Sequence, residues 1–174
     1  MKNTQKVTLD MMIVHGRAVF NSSKNAYTII DMPYGTYRNN KDALKNAKKL
    51  LSLTKCQSVK LEINQKNTNI VKYLIKNKIK VISHIGITPQ KYANFKNIRS
   101  AGKTLKDQDI LFKLAKKLEK IGSSMIVLEC MKETLAKKIT QNIKIPTIGI
   151  GASVECDGQV LVINDILGLI TSEK

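Results

Sequence analysis

Six short apolar runs alternate with longer segments of helical period, and each run carries a polar or small residue at or next to its close. The runs are 26–31, 58–62, 80–85, 124–129, 145–151 and 159–165. Near-continuous apolar stretches of this length suit strands of a parallel sheet covered on both faces. Between them, 41–53 sets Ala43, Leu44, Ala47, Leu50 and Leu51 on one stripe, and 67–77 does so with Ile70, Val71, Leu74 and Ile75. Segment 107–121 repeats the pattern with Ile110, Leu111, Leu114, Ala115, Leu118 and Ile121, and 132–143 with Leu135, Ala136, Ile139 and Ile143. Each is a helix with one buried face. The order predicts a parallel α/β fold in one domain over 1–174. The link between the fifth and sixth runs is too short for a full helix.

Charge narrows the function classes. Thirty Lys+Arg against thirteen Asp+Glu give +17, but only Arg17, Arg38 and Arg99 are arginine. Base readers lean on Arg forks and stacked aromatics, and aromatics are 5% of this chain. The lysines are scattered along helix faces, so a solvated surface is expected rather than a nucleic-acid patch. No apolar run nears the ~18 residues of a membrane span. The opening MKNTQK leads into no secretory core. Cys56, Cys130 and Cys156 have no CxxC spacing and an odd count, which points to a reducing cytoplasm.

The strand ends carry the chemistry. Successive runs end in Asp31, Glu62, His84 and Glu129, then Gly149 and Gly151, then Asp165. In a (β/α)8 barrel and in an open doubly wound sheet alike, sites lie at the carboxyl ends of the strands. Carboxylates there also cap helices, but four such residues together favour a site. Pro33 would hold Asp31 at a strand tip, as a hard ligand suited to Mg²⁺. Lys60 and Glu62, two apart on one strand, face one side; they read either as a substrate and metal pair or as an isolated structural ion pair. His84, between Ser83 and the exit at Gly86 and Pro89, could orient a substrate or relay a proton, although on spacing alone a structural role is favoured. Glu129 ends a very apolar strand, and partial burial would suit it to general-base work. Cys130 reads as a small buried residue, and His15, on an early helical segment, as packing. The Gly149–Gly151 pair is a weak phosphate signal.

Taken in order, D-M-P-Y (31–34), V-K-L-E (59–62), H-I-G-I-T-P-Q (84–90), V-L-E-C (127–130), I-P-T-I-G-I-G-A (145–152) and D-G-Q-V-L-V (157–162) closely resemble the ketopantoate hydroxymethyltransferase family. The resemblance runs from about Thr8 to Gly168. It implies an incomplete (β/α)8 TIM barrel, with six parallel strands matching the family's strands three to eight. It also implies Mg²⁺, 5,10-methylenetetrahydrofolate as one-carbon donor, 3-methyl-2-oxobutanoate as acceptor, and a large homo-oligomer, commonly a decamer. By the same resemblance Asp31 touches metal and keto acid, Lys60 and His84 contact the substrate, Glu62 lies at the metal, and Glu129 accepts the proton.

The sequence also departs from the family pattern. A full barrel takes ~250 residues and six of eight units roughly 190, against 174 here. The first two strands are absent, and with them the G-D-S segment that supplies the family's other metal aspartate and a substrate-contacting serine. Ile63 and Asn64 stand in place of paired glycines, Phe95–Arg99 replaces a glycine-rich stretch, and Met131–Lys132 follows Cys130. Two readings follow: a truncated or divergent hydroxymethyltransferase, or a catalytically weak or inactive remnant or assembly subunit of one.

Overall fold

The computed structural model describes residues 4–91 and 100–169. A helix, α1 (Leu9–Ser22), precedes the first strand. Five strands and four helices then alternate: β1 (Ile29–Asp31), α2 (Asn40–Thr54), β2 (Ser58–Glu62), α3 (Thr68–Lys76), β3 (Val81–Gly86), α4 (Leu105–Ile121), β4 (Met125–Glu129), α5 (Glu133–Asn142) and β5 (Thr147–Ile150). A two-residue β6 (Gly158–Gln159) and a short α6 (Ile163–Ile166) follow. All strand pairings are parallel and the sheet order is β1-β2-β3-β4-β5-β6. Parallel neighbours in chain order, with helices α1 to α5 packed each on the next outside them, make an open, partial barrel: six of the eight strands of a closed (β/α)8 architecture.

Local chemistry explains most element boundaries. Thr8, Asn39 and Thr104 cap α1, α2 and α4 by accepting from Met11, Asp42 and Asp107 N–H, as short polar side chains do at helix starts. Gly122, at φ 104, ends α4. The apolar stripes predicted for the helices are the faces turned inward: Ala43, Ala47, Leu50, Val71, Leu74, Leu114, Leu118, Leu135 and Ile139 are all buried with Val59, Leu61, Val81 and Ile126 of the strands.

Three expectations need correction. The sixth run, 159–165, is not a strand along its length. Only Gly158 and Gln159 pair with β5, and 163–166 is helical, so Asp165 sits in α6 rather than at a strand end. The apolar pattern was present, but a strand exists only where a neighbour takes its hydrogen bonds. His15 is exposed rather than packed, because α1 buries Ile13 and Gly16 and two residues turn a side chain about 200° around a helix. Cys130 is only half-buried and has φ 47. The replaced stretch Phe95–Arg99 lies outside the described residues. All three cysteines are free, and among the described residues no helix is long and apolar enough to cross a membrane.

Candidate active site at the carboxyl rim

Asp31, Lys60, Glu62, His84 and Glu129, from four neighbouring strands, line one cavity of about 270 Å³. Register brings them there. Asp31 lies opposite Lys60, Glu62 opposite His84, and Glu129 opposite Gly86. Alternate residues of a strand share a face, so Lys60 and Glu62 both reach the cavity.

The charges run as a chain across the rim. Lys60 Nζ is 3.0 Å from Asp31 Oδ1 and 3.5 Å from His84 Nδ1. His84 Nε2 is 2.9 Å from Glu129 Oε2, close but off the alignment of a hydrogen bond. An ammonium facing Nδ1 favours the tautomer with its lone pair there and its proton on Nε2, toward Glu129. His84 is 2% exposed, so it holds its two neighbours from inside the sheet.

The expected Lys60–Glu62 pairing is not the one observed. Adjacent strands lie about 4.8 Å apart, whereas residues i and i+2 are about 6.6 Å apart along one strand. Lys60 therefore turns to Asp31 on β1. Glu62, 5% exposed, instead accepts the Gln90 N–H through Oε1 at 3.0 Å. Its Oε2 is buried without a hydrogen bond. Burial raises the Glu62 carboxyl above its ordinary range, with the Glu129 charge adding to the rise; the Gln90 N–H, His84 and Lys60 oppose it.

Two residues of this rim carried no sequence prediction. Gln90, in the 3-10 turn Pro89–Lys91, donates from Nε2 to the Met32 carbonyl at 2.9 Å and accepts the Tyr37 hydroxyl at 2.7 Å. Burial, and after it the Glu62 charge, pushes the Tyr37 phenol well above its ordinary value, so it remains a donor. The signal for Gln90 was its place just past Gly86 and Pro89, on the loop leaving a strand that ends at the rim. Tyr37 had none. Val7, Met12, Ile150 and Val162 form an apolar wall to the same cavity.

The donor set suits a hard cation in kind. Among the described residues no three His, Cys, Asp or Glu side chains form a metal cage. Magnesium, however, is commonly held by one or two carboxylates with water and substrate oxygens completing its shell. The orphaned Glu62 Oε2 and the 42%-exposed Asp31 side chain are carboxylates that could serve in that way. The glycines of the fifth strand form no dinucleotide fingerprint: Gly149 is hemmed in by Cys156 Sγ and Gln159.

Comparison with known proteins bears on this site. A family model described as ketopantoate hydroxymethyltransferase matches residues 1–174. The 3-methyl-2-oxobutanoate hydroxymethyltransferase of Pelagibacter ubique (strain HTCC1062) is 52% identical over 167 residues, covering 96% of this chain and 64% of that protein. The protein of the same name from Aliarcobacter butzleri (strain RM4018) is 44% identical over 172 residues, covering 99% and 64%. The chain thus spans about 64% of the length of these relatives. In fold alone, it is similar to N-(5'-phosphoribosyl)anthranilate isomerase from Pyrococcus furiosus, with a TM-score of 0.51 at 12% identity over 86% of this chain and 63% of the other.

Proposed function

We propose a function from the premise that this chain belongs to the ketopantoate hydroxymethyltransferase family, whose model matches all of its 174 residues. The reaction is hydroxymethyl transfer from 5,10-methylenetetrahydrofolate to 3-methyl-2-oxobutanoate, giving 2-dehydropantoate. The observation that carries the reading is the chain Asp31–Lys60–His84–Glu129 beside a buried Glu62 in one cavity.

Each residue has a role that its surroundings support. Lys60 carries the charge that meets the substrate carboxylate, and Asp31 fixes the direction of its ammonium. Glu129 takes the proton from C3 of the keto acid; water adds to the folate methylene, whose two C–N bonds break to release tetrahydrofolate and formaldehyde, and C3 bonds to the formaldehyde carbon, whose oxygen takes up a proton and becomes the new hydroxyl. His84, wedged between Lys60 and Glu129, keeps base and cation at one separation. The apolar wall takes the branched alkyl group. Asp31 and Glu62 would hold magnesium, which when bound supplies Lewis-acid polarisation of the keto oxygen.

Glu129→Gln tests the assignment. With 3-methyl-2-oxobutanoate in D₂O and Mg²⁺, exchange of the C3 proton is expected to disappear from the NMR spectrum while keto-acid affinity stays within about threefold. Equal loss of exchange and binding would make Glu129 a binding or structural residue. Absence of exchange and of Mg²⁺-dependent keto-acid binding by the unaltered chain would remove the enzyme reading for this chain.

One observation favours a second reading, a subunit that works only in an assembly. The sheet ends at β1 and β6 without further strands among the described residues, and Val160, Leu161, Val162, Ile163, Leu167 and Leu169 are exposed in succession. Such a patch is costly in water and suits association with further copies. Turnover by a purified monomer would exclude it.

A further inference from the structure

We propose that Gln90 is a positioning residue that sets the Glu62 carboxylate, through a clamp shared with Tyr37 and the Met32 carbonyl. The inference rests on the functional reading above, in which Glu62 is a ligand at the rim.

Glu62 Oε1 is held by the Gln90 backbone N–H. That N–H lies beyond the β2–β3 register, which runs from Val59–Val81 to Glu62–His84, so sheet pairing does not place it. The Gln90 side chain does. Its two amide atoms reach across to the loop after β1, Nε2 to Met32 O at 2.9 Å and Oε1 to Tyr37 Oη at 2.7 Å.

The orientation follows from hydrogen-bond chemistry. A carbonyl only accepts, so the amide nitrogen must face Met32, the amide oxygen must face Tyr37, and the phenol must donate. The loops leaving β1 and β3 are thereby tied together over Glu62. The outcome is a carboxylate with one oxygen satisfied and the other, Oε2, buried and unclaimed. A buried unpaired acceptor is costly, and the clamp holds the carboxylate in that setting. A glutamate at 90 could not replace the amide, because it would set an acceptor against Met32 O and a second negative charge beside Glu62.

The test uses the full chain and Mn²⁺ alone as a spin-active divalent probe, titrated by EPR. Loss of partners outside the ligands themselves typically costs 10–100-fold in metal affinity. Gln90→Glu and Gln90→Leu are therefore expected to weaken Mn²⁺ binding by about tenfold or more. Tyr37→Phe removes one clamp bond with little risk to folding; it should weaken binding by a smaller factor at nearly unchanged Tm. In metal-free protein, Tyr37→Phe should also speed hydrogen exchange of the Gln90 backbone amide. Unaltered binding in all three variants, with Glu62→Gln abolishing it, overturns the clamp and leaves the functional reading standing. If the unaltered chain binds no Mn²⁺, the functional reading falls, and an unchanged Gln90 exchange rate in Tyr37→Phe overturns the clamp as well.

Discussion

Gly86→Ala is the substitution through which the rim can be tested most directly. Gly86 ends β3 at φ 103, opposite Glu129. A methyl group built there would lie 2.3 Å from the Glu129 carbonyl oxygen, where ordinary contact begins at 3.4 Å, and 3.2 Å from Glu129 C and N. Those atoms are backbone and cannot swing aside, so β4 must move by roughly 1 Å in an interior packed like a crystal. Three costs add. An L side chain on the left-handed side of φ costs about 1–2 kcal/mol. Forcing extra volume into a packed site costs about 1–3 kcal/mol. The Ile87 N–H to Glu129 O bond, 2.9 Å long, is weakened, for about 1 kcal/mol. A total of about 4 kcal/mol, at about 2–4 °C per kcal/mol for a chain of this size, predicts a fall in Tm of about 8–16 °C. Because a 1 Å misplacement can cost on the order of 100-fold in rate, C3 proton exchange should fall by about that factor below Tm. Gly151→Ala is the control. Its φ is 55, but the nearest atom to its added methyl is Cys130 Cα at 3.9 Å, so only the conformational cost of about 1–2 kcal/mol applies. Thermal unfolding followed by circular dichroism reads both variants. Equal losses in the two, or a Gly86→Ala loss no larger than the control's, would refute the close-approach argument.

Two further outcomes concern single groups at the rim. The Glu62 carboxyl is raised in the folded protein, mainly by burial, so between about pH 4.5 and its raised value the folded state holds a proton that the unfolded state has lost. Its contribution to stability is therefore present below about pH 4.5 and fades as pH rises through the raised value; in metal-free buffer the Tm of Glu62→Gln minus that of the unaltered chain should grow from pH 4.5 to 7, and a flat difference would contradict the shift. Lys60→Met should weaken 3-methyl-2-oxobutanoate binding by about 10–100-fold in calorimetry, the worth of one hydrogen bond to a charged group, and an unchanged affinity would move the carboxylate contact to another cation.

Much of this chain was legible from pattern alone, for a local reason. Helical stripes and apolar runs are properties of consecutive residues, and so α2 to α5 and β2 to β5 stand close to their predicted bounds. The order of polar residues at successive run ends was equally local: Asp31, Glu62, His84 and Glu129 had to share a rim once the strands were parallel. What the sequence could not decide were relations between strands. Lys60 finds Asp31 instead of Glu62 because strand spacing is shorter than the two-residue step along one strand. Val160 to Ile163 read as a strand, yet the ladder with β5 ends at Gln159, with one further bond from the Val160 N–H to the Gly149 carbonyl. Gln90 gained its place from three groups distant in sequence, the Met32 carbonyl, the Tyr37 hydroxyl and the Glu62 carboxylate. Local pattern therefore determined which residues reach the rim; tertiary register and loop packing decided which of them touch, because hydrogen bonds and ion pairs act over about 3 Å and only the folded chain sets distances that short.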